Sequence, residues 1–226
     1  MGGLLLVIFA VLVVATVPIG FALAAVASIA VVVADLPVII IPQQIVAGMD
    51  SFPMLAVPLF ILAGFLMDVG GISQRLVTLA RALVGHLPGG LGQVVIMAEI
   101  FFSGVSGSTS ADAAAIGGIM VPQLMANGYS RARSTAIVSA ACGMGILIPP
   151  AIVMVVYGVI GNVSVGALFV ASIAPALLMA VGLMTQIGWQ ARREGWPTEE
   201  RASFTEVRHA AVDALLPLSM IVVILG

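Results

Sequence analysis

Residues 91–127 read LGQVVIMAEIFFSGVSGSTSADAAAIGGIMVPQLMAN, an apolar segment broken at its centre by Ser103-Gly104-Val105-Ser106-Gly107-Ser108-Thr109-Ser110. A helix over 91–102 rises only about 18 Å at 1.5 Å per residue, too short to cross a hydrocarbon core of about 30 Å. The spacing predicts a re-entrant helical hairpin over 88–127 with a Gly/Ser tip buried in protein, because irregular backbone at membrane depth persists only where something satisfies it. Asn127-Gly128 closes the segment, and Arg131 and Arg133 follow at the surface.

The whole chain supports a membrane setting. Of its 226 residues, 62% are hydrophobic and 8% charged, and the mean hydropathy is +1.25. A soluble domain is roughly half apolar and a quarter charged, so a soluble globular fold is excluded and the chain belongs in a bilayer. Eight basic and ten acidic residues give a net charge of -2. The basic residues are dispersed, which gives nucleic-acid binding no support. Cys142, the single cysteine, cannot form an internal disulfide, and no Cys/His cluster has metal-ligand spacing. No redox, zinc or other cofactor chemistry is indicated.

Upstream of the hairpin, residues 1–34 carry no charge and lack the basic start of a signal peptide. They predict a retained first span at about 4–33, flexed near Pro18 and Gly20. Residues 35–50, with Pro37, Pro42 and the turn signal Gly48-Met49-Asp50-Ser51, are too broken for a span. A second span is expected over 52–67, with Pro53 and Pro58 near its start, where prolines are tolerated. Residues 1–71 thus form a pair of scaffold spans. Over 72–86, Ile72, Leu76, Leu79 and Leu83 share one helical face and Gln74, Arg75, Thr78 and Arg81 another. This is an interfacial amphipathic helix. His86, beside the breaker Pro88-Gly89-Gly90, reads as an interface residue.

Downstream, residues 134–191 run without a charge, enough for two spans around the turn Gly161-Asn162-Val163-Ser164. The first, over 134–158, is interrupted by Gly143-Met144-Gly145-Ile146-Leu147-Ile148-Pro149-Pro150; the second covers 165–190. A polar loop over 191–212 carries Arg192, Arg193, Arg201 and Arg208, and a further apolar run over 213–226 reads as the start of another span in a longer protein. Placing the N-terminus in the cytoplasm puts all eight arginines inside, as the positive-inside rule favours. Two full spans in place of the hairpin give the same orientation.

The two broken elements are where chemistry is expected, since backbone groups freed from helical pairing cost several kcal/mol in lipid. Pro149 and Pro150 lack N–H groups, so the carbonyls of Gly145 and Ile146 lose their helical partners, and Ile148 and Pro149 are pushed out of the helix. Those carbonyls are potential cation ligands. The hydroxyls of Ser103, Ser106, Ser108, Thr109 and Ser110 add hard oxygens. The plainer alternatives are a proline kink and close packing of small residues. Asp112 fits a capping box over Thr109-Ser110-Ala111-Asp112, yet an acid at membrane depth costs on the order of 3 kcal/mol and points to function. Glu99, away from the tip, reads as a packing or gating contact, and Cys142 as a small packing residue.

Gly48-Met49-Asp50-Ser51-Phe52-Pro53, Ser106-Gly107-Ser108 followed by Ala111-Asp112-Ala113-Ala114-Ala115, Ile148-Pro149-Pro150 and Val163-Ser164-Val165-Gly166-Ala167-Leu168-Phe169 resemble, in order, the N-terminal half of the large membrane subunit of TRAP transporters, DctM-like permeases. The resemblance implies an all-α polytopic protein of the bacterial inner membrane, one half of an inverted-repeat elevator. The four spans counted, with the one starting near Leu215, supply the odd number of crossings such a repeat requires. It implies sodium-driven uptake of organic acids such as C4-dicarboxylates or sialic acid, with a small membrane subunit and a periplasmic substrate-binding protein as partners. Carried onto these residues, Na+ sits between Ser106 and Ser108, with Ser103 nearby, and the carbonyls of Gly145, Ile148 and Pro150. Ser108, Thr109 and Asp112 line the substrate path, and the helix at 72–86 braces the transport domain. The chain departs from the family pattern at Ser108-Thr109-Ser110 and at Cys142-Gly143-Met144, so side-chain ligands near the ion can differ.

Two other readings compete. Gly104-Val105-Ser106-Gly107 matches the short G-x-S-G pattern of rhomboid-like intramembrane proteases, whose serine needs a histidine partner; only His86 and His209 are present. A non-transporting structural subunit is the other, and it leaves the broken helices without a use.

Overall fold

In the computed structural model, residues 2–50, 70–215 and the isolated positions 58, 59, 62, 66, 218 and 219 are described. The span expected over 52–67 and most of the run over 213–226 lie outside the described residues. Every regular element among the described residues is helical. The chain divides into two compact units, Met1–Phe52 and Pro53–Gly226.

The first unit holds α1 (Gly2–Val14), α2 (Ile19–Val33) and α3 (Ile40–Met49). Over the flexed span expected at 4–33 lie two helices, parted at residues 15–18 where flexure near Pro18 is expected. Thr16 adopts a left-handed φ of 62° and closes α1 in a Schellman arrangement, with Val17 N–H donating to Leu12 O and Thr16 N–H to Val13 O, both at 3.0 Å. Pro18, without an N–H, then caps α2. Asp35 ends α2 in the same way, with φ 54° and Leu36 N–H donating to Val31 O at 3.1 Å. Leu4, Leu6, Val14, Phe21 and Val33 are all exposed on these helices. Helices apolar on every face are suited to lipid or to further protein rather than to water.

The second unit is built around α5 (Gly90–Ser106), of whose 17 residues 14 are buried. It packs against α4 (Ile72–Val84), α6 (Thr109–Ala126), α7 (Arg131–Gly145) and α9 (Val165–Glu194). Between α7 and α9 lies α8 (Ile152–Gly161), and α10 (Phe204–Asp213) packs on α4. Among the described residues, α9 is the one helix long and apolar enough to cross a membrane.

Helix α4 is amphipathic as expected, burying Ile72, Leu76, Leu79 and Val84. Leu83, placed on the same face by its spacing, is 38% exposed; Val84 fills the inward position. The opposite face is not idle. Arg81 Nη2 donates to Gln123 Oε1 of α6 at 2.7 Å, and Arg81 Nε lies 3.2 Å from Glu199 Oε1. The N–H of Glu199 donates to Gly85 O at 3.1 Å. Nearby, Tyr129 OH donates to Gly89 O at 2.8 Å and its ring meets Trp196 edge-on at 5.0 Å. Arg133 stacks on Trp196 at 4.6 Å and pairs with Glu194 at 2.7 Å. The loop after α9 is thereby fastened to α4, to the end of the α5–α6 pair and to the start of α7.

A capping box starts α10, with Ser203 and Glu206 each accepting the other's backbone N–H. The Ser203 N–H holds the Glu206 carboxylate below the usual glutamate range. That support is present above the ordinary glutamate value and fades as pH falls through the lowered one.

Candidate functional site

The interruption expected over 103–110 is much shorter in the structure. Helix α5 runs through Ser106 and α6 begins at Thr109, leaving Gly107 and Ser108 as the turn between them. Gly107 takes a left-handed φ of 60°, which only glycine adopts without strain. A Cβ there would collide with the Pro150 carbonyl oxygen, and Ile152 N–H donates to Gly107 O at 3.3 Å. The tip of the hairpin therefore rests on the second broken element.

That second element is placed as the prolines require. Helix α7 stops at Gly145 and α8 starts at Ile152. The Gly145 carbonyl, deprived of an i+4 donor by Pro149, accepts the Ile148 N–H at 3.1 Å in a tighter turn. A carbonyl has two lone pairs, so one acceptor position is left over. Ile148 and Pro149 line a cavity of about 150 Å³ with Ile100, Ile173, Ala176, Leu177 and Ala180, and Pro150 is buried against the tip.

Under the tip is a buried polar cluster. Ser103 Oγ lies 2.8 Å from Glu99 Oε1 and 2.7 Å from Asp112 Oδ2. Ser106 Oγ donates to Asp112 Oδ1 and accepts from Ser108 N–H at 3.2 Å. The Cys142 thiol of α7 faces Glu99 Oε2 at 3.6 Å. Glu99, Ser103 and Asp112 are each 0% exposed. Gly145 closes the cluster: a Cβ there would lie 2.5 Å from Ser103 Oγ, 2.6 Å from Glu99 Oε1 and 2.9 Å from Asp112 Oδ2. Only a residue without a side chain permits α7 to approach α5 and α6 so closely.

The capping box expected at 109–112 does not form. Ser108 is the N-cap of α6 and makes no side-chain cap, while the Asp112 carboxylate turns inward to Ser103 and Ser106. The two hydroxyls offer stronger partners than a tip amide, because the burial that makes an unpaired carboxylate costly also strengthens its hydrogen bonds. Of the remaining tip residues, Ser108 is half-buried with its hydroxyl 3.2 Å from that of Ser110, and Thr109 is half-buried at the start of α6.

Glu99 is the residue that sequence reasoning set aside and the structure brings in. Its spacing held the signal, since Glu99, Ser103 and Ser106 stand at i, i+4 and i+7 on one face of a helix. Asp112 likewise heads the buried stripe Asp112, Ile116, Met120 and Leu124 of α6.

The protease expectation has no geometric support. No histidine among the described residues is a partner of Ser106, and the buried His86 Nδ1 has no hydrogen-bond partner among them. Among the described residues, no three His, Cys, Asp or Glu side chains are grouped to hold a metal ion. The cluster offers carboxylate and hydroxyl oxygens, which suit a hard cation.

Residues 6–226 match the family model described as the tripartite ATP-independent periplasmic transporter, DctM component. The chain is 41% identical to the isethionate TRAP transporter permease protein DctMQ of Oleidesulfovibrio alaskensis, over 96% of its own length and 35% of the relative's. It is 40% identical to the sialic acid TRAP transporter large permease protein SiaM of Vibrio cholerae, over 81% and 43% respectively. With the C4-dicarboxylate TRAP transporter large permease protein DctM of Pseudomonas aeruginosa it shares 41% identity, over 78% and 42%. The chain spans less than half the length of each of these three relatives. A match over nearly the whole chain, with a tip and a break in mutual contact, has one conclusion: the chain belongs to the DctM family of large permease components of tripartite ATP-independent periplasmic transporters.

Proposed function

We propose that the chain contributes one half of an elevator-type permease of the bacterial inner membrane, N-terminus in the cytoplasm, which moves small organic acid anions on a sodium gradient. The α5–α6 hairpin is re-entrant in this reading, and α7, the 146–151 break and α8 are its partner in a mobile transport domain. The contact between Gly107 and the Pro150 carbonyl carries the proposal. It brings irregular backbone from two elements beside a buried, oxygen-rich cluster, the arrangement transporters use to hold a coupling ion at membrane depth.

Sodium is held between the Ser106 and Ser108 hydroxyls, with Ser103 behind them, and the carbonyls of Gly145, Ile148 and Pro150. Charge supports a cation there. The acid beside that position is Asp112, fully buried, accepting from Ser106 and 2.7 Å from Ser103 Oγ. Ser108, Thr109 and Asp112 border the substrate path. The names of the relatives share an acid group, carboxylate in sialic acid and C4-dicarboxylate and sulfonate in isethionate, which supports an organic anion as the solute. The tripartite description of the family supports a small membrane subunit and a periplasmic binding protein as partners.

The test is uptake of a panel of carboxylates and sulfonates by the full-length permease in liposomes, with its small subunit. Uptake is expected only with an inward sodium gradient and with the binding protein added. Equal uptake with potassium in place of sodium overturns the coupling.

A further inference from the structure

Glu99 has no part in the sodium cage just described, yet its carboxyl group is fully buried in an all-apolar stretch. An acid at membrane depth carries a cost on the order of 3 kcal/mol, and its contacts point to what offsets it. Oε1 meets Ser103, which in turn meets Asp112 of α6. Oε2 faces the Cys142 thiol of α7. Gly145, one turn beyond Cys142 and the last residue of α7, lies so close that a Cβ would stand 2.6 Å from Oε1. One carboxyl group thus meets Ser103 of the hairpin and the close-packed Gly145 at Oε1, and Cys142 of α7 at Oε2.

The position along α7 matters. The break begins directly after Gly145, so whatever fixes Gly145 fixes the start of the segment that carries the Gly145, Ile148 and Pro150 carbonyls. At its other end the segment is fixed by the Gly107 contact. We propose that Glu99 is a positioning residue: its carboxyl group clamps the C-terminal end of α7 to α5 and sets the distance between the hairpin tip and the broken backbone. This rests on the sodium cage of the preceding reading, and acts through Ser103 and Gly145 without touching the ion.

The experiment compares Glu99→Met and Glu99→Gln with the wild type in the full-length permease, reading both the sodium concentration for half-maximal uptake and the maximal rate. Methionine keeps the volume and removes the acceptors; glutamine keeps the shape, an acceptor for Ser103 and a polar group for Cys142. The expected result is a rise of tenfold or more in half-saturating sodium for E99M, a maximal rate within about twofold of wild type, and recovery to within threefold in E99Q. Where E99M does not purify as a monodisperse protein, E99A takes its place. Half-saturation unchanged in E99M, with only the rate or the yield reduced, overturns the positioning role in favour of packing. An E99Q variant as impaired as E99M overturns it in favour of a required charge. These failures are separate from failure of the sodium reading, in which wild-type uptake itself is indifferent to sodium.

Discussion

Gly145→Val is expected to raise the sodium concentration for half-maximal uptake by about tenfold to a hundredfold, or to abolish uptake. The Cα of Gly145 faces three oxygens, and the first carbon of any side chain would stand 2.5 to 2.9 Å from Ser103 Oγ, Glu99 Oε1 and Asp112 Oδ2. Valine adds two methyl groups to that collision and lacks any flexible end to swing away. Overpacking of this kind costs about 1–3 kcal/mol, and every 1.4 kcal/mol is a factor of ten in affinity. The strain is relieved by moving the end of α7 away from the hairpin, which carries the break with it. Gly143→Ala is the control on the same helix, because a Cβ at Gly143 meets nothing within 4 Å. Its sodium dependence is expected to match the wild type. A G145V permease with wild-type half-saturation would show that the approach of α7 to the cluster does not matter to the ion.

Asp112→Ala is expected to remove the stabilisation that sodium confers on the purified permease. An ion bound only to the folded state raises thermal stability in proportion to the logarithm of its concentration above its dissociation constant. Asp112 accepts from Ser106 and stands 2.7 Å from Ser103 Oγ. Alanine leaves the buried Ser106 hydroxyl without its acceptor, at a cost of about 1–3 kcal/mol, and frees it to rotate away from the tip, while Ser103 keeps Glu99 as its partner. The variant is therefore expected to be less stable without sodium and to show a flat melting temperature between zero and saturating sodium. Asp112→Asn, which keeps the shape and one acceptor, is expected to fall between the two. A melting temperature that climbs with sodium in D112A as it does in wild type would remove Asp112 from the ion's surroundings.

The elements that fix this site were largely legible in the sequence. The short apolar legs around a Gly/Ser centre predict the α5–α6 pair, and Pro149-Pro150 predicts the end of α7, since a residue without an N–H cannot continue a helix. The alternation of apolar and polar residues over 72–86 predicts α4. What misled was local pattern at the expense of tertiary contact. Ser103 to Ser106 look like a breaker run, yet they form the last turn of α5, because burial of their hydroxyls against carboxylates outweighs the weak helix propensity of Ser and Gly. Thr109 to Asp112 match a capping box, yet Asp112 finds better partners across the hairpin. The partnership of Glu99 with Cys142 and Gly145 depends on α7 folding back over a separation of more than forty residues, and nothing local encodes that register. The break between α1 and α2 includes Pro18, where flexure is expected, but the left-handed φ of Thr16 that ends α1 is not hinted at by its residue type.

The claim that a sodium ion is held where the hairpin tip meets the broken helix is tested most directly by equilibrium binding of radioactive sodium to the purified full-length permease, wild type against Ser106→Ala. Serine 106 is chosen because its hydroxyl faces both Asp112 and the tip amide of Ser108, and because loss of one oxygen leaves the backbone path unchanged. The expected result is saturable binding in the wild type and, in S106A, either one ion fewer per permease or an affinity at least tenfold weaker for one ion. Identical stoichiometry and affinity in the two proteins would contradict the account and move the ion away from this cluster.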